Sequence, residues 1–233
     1  MIYLKRFLPL CMIIIGLICF FHFELNQYFT FEELKENRAY ILLLVESHYF
    51  SSIIIFMALY IILVAFSVPG ATFLTVTSGF LFKTWLGALY SLISATVGSI
   101  LIFLVVKRAL EPYINSKMNI WIIKMRNKFH DNELNYLFFL RLAPIFPFWM
   151  VNIIAALLGA RIKTFFISTF IGIIPLMIIL SLLGNGLDEI FDNNENPNLS
   201  ILLSWKIYIP LCLLGFISIF PIFFHHKKNS FTK

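Results

Sequence analysis

The sequence predicts an all-α, polytopic membrane protein with about four full spans and two opposed re-entrant hairpins arranged as an inverted repeat. Charged residues make up 13% of the 233-residue chain and the mean hydropathy is +0.89, which leaves too little polar surface for a soluble domain of this size. Four apolar runs, Phe7–Leu25, Leu86–Val106, Phe165–Gly184 and Ile201–Phe224, approach or exceed the ~20 residues that a helix needs to cross a bilayer. The basic residues are gathered in a few segments between such runs, and this orients them.

The elements follow in order. Lys5 and Arg6 precede the first run. That run is too long for a signal-peptide core, and no small-x-small cleavage site follows it in "FFHFELNQ", so it reads as a retained anchor that starts inside. The segment Lys107–Glu133 holds six basic residues and three acids. Arg161 and Lys163 flank the next span, and Lys227, Lys228 and Lys233 close the chain. All of these mark the cytoplasmic side, whereas "NGLDEIFDNNENPNLS", with four acids and no base, marks the outside. Both termini are therefore expected inside, in a bacterial cytoplasmic membrane. The net charge of +6 reports orientation and not nucleic-acid binding.

Crossing parity then demands two segments that enter and return on one side. The stretch "YFSSIIIFMALYIILVAFSVPGATFLTVTSGFLF" lies between two outside points, with its break at Ser67-Val68-Pro69-Gly70. Proline removes a backbone donor and glycine tolerates unusual dihedrals. A true pair of spans with an inside turn is the alternative. The stretch "FLRLAPIFPFWMVNIIAALLGARIKTF" lies between two inside points, with its break at Pro144-Ile145-Phe146-Pro147. Irregular backbone at membrane depth survives only where protein or a wet cavity satisfies it. "SGFLFKTW" (Ser78–Trp85) and "LGARIKTF" (Leu158–Phe165) share a glycine, Lys-Thr and an aromatic residue at fixed spacing. Each sits at the exit of a hairpin, as expected of opposed repeats in a transporter. The domains so drawn are residues 1–48 (anchor and external amphipathic segment), 49–186 (hairpin core) and 187–233 (acidic loop, last span and basic tail).

From about Phe66 to Gly186 the chain resembles the DedA superfamily, in particular its VTT-domain branch of SNARE-associated Golgi proteins. The pattern Arg141, Pro144, Pro147, Asn152, Gly159, Gly172, Pro175 carries the likeness in the second half, and Pro69, Gly70, Gly79, Phe80 and Gly98 carry it in the first. The resemblance implies opposed re-entrant hairpins and movement of lipid between leaflets. Eukaryotic members are similar to phospholipid scramblases, and bacterial ones are linked to polyprenyl-phosphate recycling and membrane homeostasis. The expected ligands are membrane lipids, either anionic phospholipid or polyprenyl phosphate. The chain departs from the family in one place that matters: DedA proteins often carry a glutamate after the first Pro-Gly, and here that residue is Ala71. Gly98 is likewise followed by Ser99 and not by an aspartate. Glu24 and Glu46 lie near the ends of apolar runs, and no acid occupies the apolar core. Transport is therefore expected to run without proton coupling.

Arg141 reads in two ways, as a snorkelling anchor or as a buried cation that holds a lipid phosphate through its fork of donors. Asn152 either ties the hairpin backbone together or touches substrate. Pro144, Pro147, Pro69 and Gly70 open the two breaks, while Gly79, Gly98, Gly159, Gly172 and Pro175 read as packing positions. Ser67, Thr72, Thr75, Thr77 and Ser78 bring hydroxyls to the first hairpin, where they also bond their own backbone. "MNIWIIKMRNKF" and "FEELKENRAYILLLVE" read as interfacial helices. Asn198-Leu199-Ser200 matches a glycosylation sequon. Cys11, Cys19 and Cys212 sit in apolar runs without disulfide or metal spacing, and the five histidines have no ligand partners. No nucleophile–base pair and no phosphate-cradling loop is present. No enzyme, cofactor or metal site is expected, and the oligomeric state is not legible. A membrane-organising protein without transport, or an ion-coupled solute transporter, are the competing functions.

Overall fold

The computed structural model describes residues 11, 13, 15–116, 120–142 and 146–192. The expectations for Lys5, Arg6, Pro144, Cys212, the sequon, the run Ile201–Phe224 and the basic tail lie outside these residues. The chain divides into two compact units, residues 1–102 with 176–198 and residues 103–175 with 199–233. Every regular element among the described residues is helical.

In the first unit, residues 15–22 are helical and a 3-10 turn covers Leu25–Tyr28. Helix α1 (Phe31–Glu36) starts at Thr30, whose hydroxyl accepts from the Glu33 amide at 3.3 Å, satisfying one of the free donors of the first turn. Helix α2 (Arg38–Ser47) and helix α3 (Tyr49–Ala65) meet at His48 with a bend of 116°. The 17 residues of α3 extend about 25 Å, short of the ~30 Å hydrocarbon thickness. Its end explains the break at Ser67. The Ser67 amide donates to Val64 O and the Val68 amide to Leu63 O, both at 2.9 Å. These are the paired bonds of a Schellman cap, with Ser67 at φ 57 in the left-handed position and Pro69 just beyond.

Helix α4 runs Ala71–Ser116 but contains one non-helical residue, Lys83 (φ 64, ψ 169). It is two antiparallel arms. Tyr60 Oη lies 2.9 Å from Thr75 Oγ1, and the rings of Phe56 and Phe82 are 5.5 Å apart, so the arm 71–82 returns along α3. Across Lys83, Ser78 Oγ donates to Gly87 O at 3.0 Å and Ser91 Oγ to Ser78 Oγ at 2.8 Å. The returning arm is about 18 Å long. The returning arm is too short to cross a bilayer, while α2 and α3 together are apolar enough for either a broken span or a re-entrant loop. The second arm, from Thr84, contains the predicted span Leu86–Val106. Lys83 and Trp85 are exposed at the turn, Trp85 by 74%, as suits an interfacial anchor.

Two glycines bring helix α9 (Ile174–Asn185) against the returning arm. A Cβ on Gly79 would lie 1.9 Å from Ser181 O, and one on Gly184 would lie 1.8 Å from Val76 O. Only hydrogen fits at either place, and backbone approaches of this kind hold helices together in lipid. Gly98 allows a similar approach to Val64. Helix α10 (Leu187–Asp192) places Phe191 against Phe80, 6.0 Å between ring centres.

In the second unit, helix α5 (Ile120–Asp131) follows the end of α4, and α6 (Glu133–Leu142) and α7 (Phe148–Leu157) form the second hairpin. Each limb has ten residues, about 15 Å, again too short to cross. Helix α7 also ends in a Schellman cap: Gly159 (φ 78) donates to Ala156 O and Ala160 to Ala155 O, both at 3.0 Å. Helix α8 (Ile162–Gly172) follows. Residues 162–185 together are apolar and long enough to cross a membrane, as the sequence predicted for Phe165–Gly184. Their helical run is interrupted at Ile173, just before Pro175 in the first turn of α9.

The two copies of the shared Gly-x-x-x-Lys-Thr match turn at different points. The first turns at its lysine, Lys83, and the second at its glycine, Gly159. The matched letters are thus about one helical turn out of step with the geometry.

Candidate functional site

The second hairpin buries a cation. Arg141 lies in the last turn of α6 and is 6% exposed. Its Nη2 donates to Asn152 Oδ1 on α7 at 2.7 Å and to Thr169 Oγ1 on α8 at 2.8 Å. The guanidinium lies over the Phe148 ring at 4.7 Å and the Phe165 ring at 5.2 Å. Phe165 in turn stacks on Phe103 at 4.3 Å. Three helices and two aromatic faces therefore fix one planar cation. A Cβ on Gly172 would meet Arg141 Cβ at 2.7 Å, so the absence of a side chain there makes room for the arginine.

Of the five N–H donors of the guanidinium, only those of Nη2 meet an acceptor among the described residues. Nε and Nη1 of Arg141, and Nδ2 of Asn152, are buried and meet no hydrogen-bond acceptor among the described residues. Asn152 is fully buried. Unpaired buried donors on a charged group are costly, by about 1–3 kcal/mol or more each, and among the described residues no carboxylate pairs with Arg141. The buried acid among the described residues of this unit, Glu133, is engaged elsewhere. Its Oε1 accepts from the Arg161 amide at 2.7 Å, and its Oε2 lies 3.2 Å from His130 Nδ1 and 3.6 Å from Arg161 Nε.

The same turn is tied on its other side. Lys107 Nζ donates to Ala160 O at 2.6 Å and Arg126 Nε to Leu158 O at 3.1 Å. Cations thus meet the carbonyls at the C-terminal end of α7, where the helix dipole favours them. Glu133, Lys107 and Arg126 together hold the exit of the hairpin that carries Asn152.

Of the residues expected from sequence, Arg141 and Asn152 touch each other. Gly172 lies against Arg141, Pro147 is the N-cap of α7, and Gly159 forms the turn after it. Pro69 and Gly70 lie in the first break, in the other unit, with Gly70 at φ 143. Gly79 and Gly98 are packing contacts there. Pro144 lies outside the described residues. Sequence reasoning missed Thr169, Phe148 and Phe165. Thr169 had a signal, a hydroxyl in the apolar run "FISTFIG" three residues before Gly172, while the two phenylalanines stood among 27. Among the described residues no group of three or more His, Cys, Asp or Glu is placed to hold a metal ion.

Comparison with known proteins decides the family. The VTT domain family model matches residues 68–186, about half of the chain. The chain belongs to the VTT domain family. It is an integral membrane protein with apolar helices long enough to cross a bilayer. It is similar to Transmembrane protein 41B of Xenopus tropicalis, at 30% identity over 186 residues, and of Homo sapiens, at 29% over 186 residues. The alignments cover 78% of this chain and 64% and 62% of those relatives, so the chain spans less than two thirds of their length. No solved structure matches it.

Proposed function

We propose that this VTT-domain protein moves lipids between the leaflets of a membrane, and that Arg141 and Asn152 receive the lipid phosphate. The observation that carries this reading is the guanidinium with most of its donors unused among the described residues. Nε–H and the Nη1–H groups, which flank the occupied Nη2 on either side, meet no acceptor among the described residues, and neither does the amide nitrogen of Asn152. Donors left over on a charged guanidinium suit the oxygens of a phosphate, through charge-assisted single hydrogen bonds. In a low-dielectric site an anion offsets the cost of the buried charge, which no carboxylate among the described residues does. Thr169 and Asn152 hold Nη2, so the plane of the guanidinium and its remaining donors are fixed before the lipid arrives.

Uncoupled movement fits the same site. Proton coupling needs an acid that titrates in the pathway, whereas the buried acid of this unit, Glu133, already binds the Arg161 backbone and side chain. The positions of the basic segments favour a cytoplasmic membrane with both termini inside. Reconstitution tests the proposal. Purified protein in liposomes with labelled phospholipids or polyprenyl phosphate is expected to accelerate exchange between leaflets without an ion gradient. Arg141→Lys should keep part of that rate and Arg141→Gln should lose most of it. A wild type that moves none of these lipids overturns the proposal and leaves a membrane-organising role. An Arg141→Gln protein as fast as wild type reduces Arg141 to an anchor.

A further inference from the structure

The external amphipathic segment has no part in the Arg141 site, yet it roofs a groove of its own. A cavity of about 550 Å³ lies between α1, α2, α3 and the returning arm of α4. Val45, Phe56, Leu59 and Leu74 supply part of its apolar floor. At Glu33 it meets a second, polar cleft of about 380 Å³, whose lining includes Glu32, Glu33 and Glu36. Tyr28 and Tyr40 also line the groove and are 70% and 66% exposed. Among the described residues, no lysine or arginine lines either space. Thr77 lines the groove too; it is 8% exposed, and its Oγ1 has no hydrogen-bond partner among the described residues.

We propose that this groove holds one acyl chain and the ammonium headgroup of a single phosphatidylethanolamine-type lipid. The apolar floor takes the chain. Glu33 and the faces of Tyr28 and Tyr40 take the cation, through charge and through the ring quadrupole. The Thr77 hydroxyl offers a donor inside the apolar stretch, which an ester carbonyl satisfies and a bare hydrocarbon leaves unmet. A lipid whose headgroup is only anionic meets the acidic mouth unfavourably. The site lies wholly within the first unit, and its occupation does not depend on Arg141 or on transport.

The test uses the full chain in nanodiscs of phosphatidylglycerol. A trace of phosphatidylethanolamine carrying a photoactivatable acyl chain is added, or phosphatidylglycerol carrying the same chain, and labelled peptides are mapped by mass spectrometry. The ethanolamine lipid is expected to label peptides of α1–α3 severalfold more than the glycerol lipid. Glu33 is exposed, so Glu33→Gln should fold as wild type, and it should lower that labelling about two- to fivefold. Glu33→Lys should turn the preference toward phosphatidylglycerol. Leu59→Trp, which fills the floor, should remove labelling by both lipids. Equal labelling by the two lipids in the wild type assigns the groove to acyl chains alone and overturns the headgroup claim. A preference unmoved by Glu33→Lys overturns it equally.

Discussion

Nη2 of Arg141 and Oδ1 of Asn152 stand 2.7 Å apart across the second hairpin, joining the last turn of α6 to the first turns of α7. A carboxylate at the same place would neutralise the guanidinium. Asn152→Asp is therefore expected to keep or raise thermal stability while leaflet exchange falls to the protein-free rate. Asn152→Leu, which removes an acceptor from a buried charge, is expected to cost about 1–3 kcal/mol of stability. Paired melting and liposome measurements separate the two. Full activity in Asn152→Asp would remove Arg141 from the lipid path.

Gly172 gives Arg141 its room. Gly172→Ala sets a methyl group 2.7 Å from Arg141 Cβ, near the backbone, where the arginine cannot swing aside. Overpacking of this kind costs about 1–3 kcal/mol. The melting temperature should fall and exchange should slow. An unchanged melting temperature would mean that α6 and α8 are not held at the observed distance.

Lys83 occupies backbone space that is essentially reserved for glycine (φ 64, ψ 169), at a cost of about 1–3 kcal/mol. Lys83→Gly relieves it, less about 0.5–1 kcal/mol of added chain freedom in the unfolded state. The net expectation is a stabilisation of about 1 kcal/mol, read as a higher melting temperature in detergent. Lys83→Val should lower it. A destabilised Lys83→Gly would contradict the sharp reversal between the two arms of α4.

The orientation drawn from the basic segments is open to a labelling experiment. Single cysteines are placed at Gln27 and at Asn127, both exposed, in a background without Cys11, Cys19 and Cys212. An impermeant thiol reagent should reach Gln27→Cys in intact cells and Asn127→Cys only after permeabilisation. Labelling of Asn127→Cys in sealed cells would reverse the assignment of sides.

The membrane class, the break at Ser67–Gly70 and the presence of Arg141 and Asn152 in an otherwise apolar run were legible in the chain itself. Hydropathy is a sum over neighbours along the sequence, charge placement is one-dimensional, and proline and glycine act on their own backbone. The break at Ser67–Gly70 was legible for that reason, although its Schellman cap on a serine was not, because glycine is the usual residue there. Tertiary structure decided what no local rule contains. It chose Thr169, and not another hydroxyl, as the second acceptor for Arg141, and Phe148 and Phe165, out of many phenylalanines, as its faces. It put the first exit turn at Lys83 and the second at Gly159, although the shared letters suggested equal registers. It brought Lys107, Arg126 and Glu133 to a single turn from three separate helices. Each of these depends on which helix faces meet, and that is set by close packing at positions such as Gly79, Gly172 and Gly184, where the fit is between residues far apart in the chain.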